Sequence, residues 1–184
     1  MTDHTGTDDA SCPLTQALRT ALALERRVRD LYRSHIPPSE DAPGYEFYQL
    51  MADEEQHHVV FLEKTLEAWL NGAVVEGAEL ASTLPSLDAF DRSDTVHGEA
   101  GADELSDELR DELRILTEAL RLEEEAGKFY EDVVSTLPEE RRELFFPFLE
   151  IEAGHRAFVQ FQIDMVTSLG TYARLPRNDG RRTR

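Results

Sequence analysis

Four glutamates and two histidines are the residues of this sequence whose types and spacing could do chemistry. They are Glu25, Glu55, His58, Glu123, Glu152 and His155. Four of them form two Glu-x-x-His pairs, and residues three apart on a helix project from the same side, where they can hold one metal ion together. One such pair is common on protein surfaces, so a metal site requires that both pairs and the two remaining glutamates lie in register.

An internal repeat supplies that register. The pentapeptide Ala-Leu-Ala-Leu-Glu that ends at Glu25 matches Ala-Leu-Arg-Leu-Glu ending at Glu123, 98 residues later, and a tyrosine follows each glutamate by seven residues, at Tyr32 and Tyr130. The Glu-x-x-His pairs match at an offset of 97, which the deletion of one loop residue explains. Each half therefore supplies a glutamate, a tyrosine two turns later on the same helix face, and a Glu-x-x-His pair on the next helix.

The four glutamates also interrupt apolar stripes of helical period. Along each of four predicted helices, positions taken at alternating steps of four and three residues are apolar or uncharged except for one glutamate and, in two helices, its histidine. Four carboxylates buried at one level are costly unless they are paired. Two divalent ions would neutralise them, and the imidazoles would add neutral donors.

One glutamate from each of two helices, with Glu-x-x-His from each of two others, is the ligand set of di-iron and di-manganese carboxylate proteins. The predicted cofactors are two iron ions. Two manganese ions or a mixed pair are the alternatives, because both metals accept carboxylate and imidazole ligands.

His57 competes with His58, because Glu54 and His57 have the same spacing as Glu55 and His58. The second register is favoured, since it lies on an otherwise uncharged face, whereas the first would bring Lys64 inward. Glu54 is therefore predicted to lie on the solvated or rim-facing side of its helix, with His57 on the flank.

Tyr32 and Tyr130 have two interpretations that can hold together. Each is a core aromatic residue with a satisfied hydroxyl, and each phenol can hydrogen-bond to a metal-ligating glutamate.

The elements that must position these residues are predicted to be helices only. Proline and glycine are sparse and cluster between long segments with helical period, and strand-like alternation is absent. The helices are expected at about 13–35, 45–71, 104–135 and 139–169. Pro147 is a candidate for a kink in the fourth helix, because it removes one backbone hydrogen bond.

The lengths of the connections predict the topology. Short connections make the first and second helices one antiparallel hairpin and the third and fourth another. The long segment at about 72–101 would join the hairpins as a crossover, which is the connectivity of a ferritin-like four-helix bundle. This bundle is expected to span 11–175, between a flexible tail at 1–10 and a basic flexible tail at 176–184.

Composition excludes several classes of function. With 38 acidic and 19 basic residues the net charge is −19, which repels nucleic acids and anionic membranes. No stretch approaches the roughly 18 apolar residues of a membrane helix, and the polar N-terminus lacks a signal-peptide core, so a cytoplasmic location is predicted. The single cysteine, Cys12, excludes Cys-x-x-Cys sites and intramolecular disulfides. The acidic surface, with lysine only at Lys64 and Lys128, favours a salt-adapted cytoplasm over an ordinary acidic protein.

These features resemble the rubrerythrin branch of the ferritin-like superfamily, over about residues 13–170. The resemblance is carried by Glu25 with Tyr32, Glu55-x-x-His58, Glu123 with Tyr130, and Glu152-x-x-His155. It implies a non-haem di-iron centre, ligated by the four glutamates and two histidines, that reduces hydrogen peroxide or oxidises ferrous iron with peroxide or oxygen as the partner molecule. A homodimer is the predicted assembly.

Two departures from the rubrerythrin pattern shape the expected function. The Cys-rich rubredoxin domain that feeds electrons to the iron is absent from this sequence, so an external donor such as a rubredoxin is expected. Ala126 stands where rubrerythrins carry the additional glutamate that their redox-linked ligand exchange uses.

Three functions remain open at the level of sequence. The first is an oxidoreductase that reduces peroxide. The second is iron handling, in which a ferroxidase centre feeds a storage shell or a partner. The third is a metal-stabilised, non-catalytic bundle that serves as an interaction module, and manganese catalase or substrate hydroxylation are minor alternatives.

Overall fold

A computed structural model describes residues 12–75, 80–85 and 106–169, and within these ranges the regular structure is entirely helical. The elements are α1 (Pro13–Ser34), α2 (Tyr45–Leu70), α3 (Asp107–Thr136), the short α4 (Glu139–Arg142), a 3₁₀ turn (Glu143–Phe145) and α5 (Phe146–Leu169). The all-α prediction is confirmed for these residues. Both predicted tails, at 1–10 and 176–184, and most of the segment at 72–101 lie outside the described residues.

The first three helices begin at residues whose local chemistry favours a helix start. Pro13 occupies the first turn of α1, where a missing N–H costs nothing. Gly44 precedes α2 with a φ of 82°, a conformation that glycine adopts without strain. Ser106 caps α3 by accepting a hydrogen bond from the Leu109 N–H, and acidic residues in the first turn of α3 complement the helix dipole.

The predicted fourth helix is wrong in one respect, because it is not continuous from 139 to 169. A single turn, α4, is followed by the 3₁₀ turn at Glu143–Phe145, and α5 starts at Phe146. Pro147 is then the second residue of α5, in the first turn, where its N–H would lack an intrahelical acceptor anyway. The proline therefore marks a helix start and does not kink a helix interior.

Helices α1 and α2 pack against each other more extensively than any other pair. Trp69, near the end of α2, donates a hydrogen bond to the Thr15 hydroxyl near the start of α1, while Tyr32 near the end of α1 contacts Phe47 near the start of α2. Early residues of α1 thus contact late residues of α2, and late residues of α1 contact early residues of α2. The two helices are therefore antiparallel, as predicted.

Helices α3 and α5 form the second extensive pair. The ring of Tyr130 stacks on Phe148 with centroids 4.4 Å apart. One turn earlier on α3, a Cβ on Gly127 would collide with the guanidinium of Arg156, so glycine lets this arginine lie across α3. The order of these contacts makes α3 and α5 antiparallel too.

The two pairs of helices close around one interior. Helix α1 packs on α3, and α2 meets α5 through the aromatic pairs Phe47–Phe158 and Phe61–Phe148, with centroids 5.6 Å and 5.9 Å apart. The four long helices thus form a bundle. Among the described residues, no helix combines the length and the apolar character needed to cross a membrane.

The interior contains two apolar clusters. The first apolar cluster takes residues from the start of α1, the end of α2, the end of α3, the 3₁₀ turn and the start of α5, including Leu14, Leu18, Leu62, Trp69, Val133, Phe145 and Phe148. The second apolar cluster takes the opposite end of each helix, including Val28, Met51, Leu116, Phe158 and Val166. A layer of the bundle between them is left for other side chains.

Candidate metal centre

The layer between the two apolar clusters holds all six predicted metal ligands. Each long helix supplies its glutamate at the point where it passes from one cluster to the other, and α2 and α5 add a histidine three residues later. All six side chains are at most 2% exposed: Glu25, Glu55, His58, Glu123, Glu152 and His155. The structure therefore brings together every residue that the stripes and the repeat selected.

The two histidines lie in the middle of this layer with their rings stacked. Their centroids are 5.3 Å apart and their planes differ by 11°. His58 Nδ1 lies 3.0 Å from Glu25 Oε2 and 3.3 Å from Glu55 Oε2. His155 Nδ1 lies 2.8 Å from Glu55 Oε1 and 3.5 Å from Glu123 Oε2. Each Nδ1 thus faces two carboxylates, which come from neighbouring helices except for the Glu55 carboxylate beside His58.

Many possible metal-ligand atoms in this layer have no partner in hydrogen-bond geometry among the described residues, although His155 Nδ1 lies 2.8 Å from Glu55 Oε1. They are both carboxylate oxygens of Glu55, both of Glu152, one of Glu123, and both ring nitrogens of His155. Buried polar groups are normally hydrogen-bonded, because an unsatisfied one costs about 1–3 kcal/mol, and more when it is charged. So many unsatisfied ligand atoms at one level fit a site that binds cations.

The ligand atoms divide into two compact sets. One contains Glu25, His58 and Glu152, and the other contains Glu55, Glu123 and His155, with one donor atom of each residue within 4.8 Å of the others in its set. Each predicted ligand belongs to one of these sets, so each set could hold one ion. Carboxylate and imidazole donors suit iron and manganese equally.

Protons neutralise the cluster when no ion is bound. Burial raises the pKa of Glu25 to about 7, and the nearby Glu55 carboxylate adds to the rise. Burial, with the carboxylates of Glu25 and Glu123, also raises the pKa of Glu152 well above its usual value. Two of the four carboxyl groups therefore tend to stay protonated.

The histidines respond to the carboxylates in the opposite sense. Burial alone would lower the pKa of His58 and of His155, but the Glu55 carboxylate between them raises both well above the usual value. Burial disfavours the Glu55 carboxylate too, yet the two imidazolium charges hold its pKa below the ordinary range. The metal-free cluster thus contains protonated imidazoles where metal ions would supply positive charge.

The two tyrosines hydrogen-bond to glutamates of the cluster. Tyr32 donates to Glu123 Oε1 at 2.5 Å, and Tyr130 donates to Glu25 Oε1. Burial and these carboxylates raise the pKa of both phenols well above 10. Each ring is fully buried and each hydroxyl contacts a glutamate of the layer, so the first interpretation is seen and the second stays a prediction until metal binding is measured.

The structure shows the favoured register on α2 but corrects the prediction for Glu54. His57 is exposed, whereas His58 is buried in the layer. Glu54, however, is 2% exposed and not solvated. Its carboxylate accepts hydrogen bonds from Ser82 and Thr83, and Oε2 lies 3.7 Å from His155 Nε2. Sequence reasoning missed this residue because its partners lie in the long connection after α2.

No protein-family model, curated protein or solved structure matches this chain significantly. The properties of the centre therefore follow from its own residues and their geometry.

Proposed function

We propose that this chain is a non-haem di-iron protein, resembling rubrerythrins, that reduces hydrogen peroxide with electrons from an external donor. Two manganese ions or a mixed pair are alternatives for the same ligands. The observation that carries the proposal is the buried layer of four glutamates and two histidines. In the part of the chain that the structure describes, five carboxylate oxygens and both nitrogens of His155 in this layer lack a partner in hydrogen-bond geometry.

A ferritin-like connectivity is part of the proposal. Helix α1 is antiparallel to α2. Helix α1 is also antiparallel to α3, because the later residue Tyr32 of α1 contacts the earlier residue Glu123 of α3. The earlier residue Glu25 of α1 correspondingly contacts the later residue Tyr130 of α3. If α2 and α3 point the same way, the segment at 72–101 must return along the length of the bundle. That is the crossover between hairpins that distinguishes ferritin-like bundles.

The residues of this chain would act by binding, orienting and excluding water. Glu25, His58 and Glu152 would hold one ion, and Glu55, Glu123 and His155 the other. Tyr32 and Tyr130 would each fix one carboxylate oxygen through a hydrogen bond, which orients the other oxygen toward an ion. The apolar clusters on both sides limit water in the layer.

The bound metals would supply the redox chemistry, which is the reduction of one hydrogen peroxide by two electrons and two protons to two waters. Cys12 is the single cysteine of the chain, so the sequence offers no Cys₄ iron centre from which the pair could be reduced again. An external donor such as a rubredoxin would therefore be needed. We place this activity in a cytoplasmic homodimer.

The test begins with elemental analysis of protein purified without added metal, where about two ions per chain are expected for a pair site. Protein reduced with dithionite, desalted under anaerobic conditions and mixed with excess peroxide should then consume about one peroxide per pair and stop, because the pair stores two electrons. A rubredoxin with its reductase and NADH should restore turnover.

Other outcomes separate the alternatives. Sustained peroxide loss with release of oxygen and no donor would show catalase-type disproportionation and refute peroxide reduction. Aerobic uptake of many ferrous ions per chain, without peroxide turnover, would favour iron handling. Protein with bound metal that reacts with neither peroxide nor oxygen would favour the non-catalytic bundle.

A further inference from the structure

Glu54 is a buried carboxylate that the six-ligand centre does not use. It lies on α2 beside Glu55, and the long connection after α2 surrounds it with donors. Ser82 Oγ donates to Glu54 Oε2 at 2.6 Å, the Thr83 backbone N–H donates to Oε1 at 2.9 Å, and the Thr83 hydroxyl also donates to Oε1. These three hydrogen bonds fix the Glu54 carboxylate in place as an acceptor.

The unused side of Glu54 faces His155. His155 Nε2 is buried, has no aligned hydrogen-bond partner among the described residues, and lies 3.7 Å from Glu54 Oε2. The other ring nitrogen, Nδ1, faces Glu55 and Glu123 at 2.8 Å and 3.5 Å. One side of the imidazole thus points into the proposed metal layer and the other points at Glu54.

This arrangement breaks the symmetry of the repeat. At the offset of 97 that relates His58 to His155, the counterpart of Glu54 is Ile151, a buried apolar residue. A carboxylate at this position therefore belongs to one half of the chain and not to the other. The two histidines therefore have different surroundings, since only His155 lies beside the Glu54 carboxylate through Nε2.

We propose that Glu54 is a positioning residue that keeps the N–H of His155 on Nε2 and leaves Nδ1 free to bind metal, and that Ser82 and Thr83 hold Glu54 in that role. The inference rests on the proposed metal centre. Metal-binding histidines usually donate their second ring N–H to a carboxylate or carbonyl, which fixes the tautomer and the ring orientation.

A direct ligand role for Glu54 is disfavoured by its hydrogen bonds. One donor atom of each of Glu54, His58 and His155 lies within 4.8 Å of the others, so the three could in principle hold an ion. However, Oε1 already accepts two hydrogen bonds and Oε2 accepts one. The single acceptor direction that remains on Oε2 suits the nearby imidazole N–H, which needs one acceptor.

The test compares Glu54→Gln with Asp53→Asn, the same loss of charge at the exposed neighbouring position. A glutamine keeps the size of Glu54 and, with its amide oxygen in the place of Oε1, the acceptor for Thr83. Its NH₂ group, in the place of Oε2, then presents an N–H to Ser82 and His155 where the carboxylate presented an acceptor. Metal-free protein is titrated with Co²⁺ and followed by visible absorption. For Glu54→Gln we expect the affinity for one of the two ions to fall by about 10–100-fold, and for Asp53→Asn we expect wild-type affinities.

A second measurement separates positioning from a general structural role. In ¹⁵N-labelled, Zn²⁺-loaded protein, the His155 Nε2–H should be visible and exchange slowly with solvent in the wild type. It should exchange faster or disappear in Glu54→Gln, while the His58 signals stay unchanged. Replacing Ser82 and Thr83 together by alanine should produce the same change to a smaller extent.

Three results would overturn the inference. Equal affinities of the wild type and Glu54→Gln for both ions would remove the positioning role. A third ion that binds the wild type but not Glu54→Gln would make Glu54 a ligand. Failure of the wild type to bind two ions would refute the proposed centre itself, and the role of Glu54 with it.

Discussion

The hydroxyl of Tyr32 on α1 donates a hydrogen bond to Glu123 on α3, at 2.5 Å. The same contact occurs with the helices exchanged, since Tyr130 on α3 donates to Glu25 on α1. Each tyrosine therefore hydrogen-bonds to the glutamate of the other half of the repeat. It does not bond to the glutamate seven residues before it in its own half. This exchange ties the two hairpins together inside the buried layer and orients both glutamates that come without a histidine.

We predict that Tyr32→Phe and Tyr130→Phe have similar effects. Each removes one hydrogen bond and leaves a buried carboxylate oxygen unsatisfied, which should lower the free energy of unfolding of the metal-free protein by about 1–3 kcal/mol. Each should also weaken metal binding by about tenfold, the lower end of the range for such supporting groups. Urea unfolding and Co²⁺ titration measure the two effects.

Tyr45→Phe is the control for both tyrosine variants, because Tyr45 is a half-buried tyrosine at the start of α2, away from the layer. It should leave metal affinity unchanged. If Tyr32→Phe and Tyr130→Phe behaved like this control, the two residues would be core aromatics whose hydroxyls contribute nothing to the site.

The two adjacent histidines of α2 give a second prediction. His58 is buried in the layer with Nδ1 facing Glu25 and Glu55, whereas His57 is exposed. We expect His58→Ala to lose at least one ion per chain and His57→Ala to keep both, as measured by elemental analysis after dialysis against a weak chelator. Equal loss of metal in the two variants would refute the choice of register on α2.

The glutamates of the two Glu-x-x-His pairs give the third prediction. Glu55 and Glu152 belong to different sets of donor atoms, so Glu55→Ala with Glu152→Ala removes one ligand from each set. We expect the double variant to bind neither ion, and isothermal titration with Co²⁺ would measure this. The matched control replaces Glu67 and Glu150, two exposed glutamates on the same two helices, and should bind two ions. Two bound ions in the double variant would exclude the proposed ligand set.

The layer was predictable because its signal is local and repeated. A charged residue on an apolar stripe is informative when four helices carry one each, and a duplication fixes which positions correspond. On α3 the predicted stripe is less accurate. Steps of four and three residues through Glu123 place Leu120 and Val134 on it, and these are only half-buried, while Ala119 and Val133 are buried. A strict seven-residue repeat drifts relative to a straight helix of 3.6 residues per turn, and α3 is the longest helix.

Two features could not be derived from helical period. The break at Glu143–Phe145 depends on how the short α4 and α5 pack after the turn, and period alone does not register a change of helix type. The burial of Glu54 depends on Ser82 and Thr83, which reach it from 28 and 29 residues away. The repeat did contain a hint, because it aligns Glu54 with the apolar Ile151, and an apolar counterpart indicates an interior position.

The protonation of the metal-free layer has a consequence for stability. Glu25 keeps its proton up to a pKa of about 7, and Glu152, His58 and His155 also have raised pKa values. Between its ordinary pKa and its raised pKa, each of these groups is protonated in the folded state but not in the unfolded state. The windows begin at pH 4.5 for the two carboxyl groups and at pH 6.5 for the two histidines. Stability therefore falls as pH rises through these windows. Glu55, whose pKa is lowered, acts in the opposite direction and costs stability only as pH falls below 4.5.

We predict that the melting temperature of the metal-free protein falls between pH 6 and pH 9, and that the stabilisation by bound Co²⁺ grows over the same range, because metal displaces these protons. Scanning calorimetry with and without metal measures both trends. Glu152→Gln replaces a carboxyl group, which releases its proton when the protein unfolds, by an amide that does not titrate. In metal-free protein this change should therefore flatten the decline. It should also raise the melting temperature at pH 8 by several degrees, where about 2–4 °C corresponds to 1 kcal/mol. Glu150→Gln, on the exposed side of α5, should leave the decline as it is. A metal-free protein whose stability rises from pH 6 to pH 9 would contradict the protonated layer, because then the folded state could not be the one that holds the extra protons.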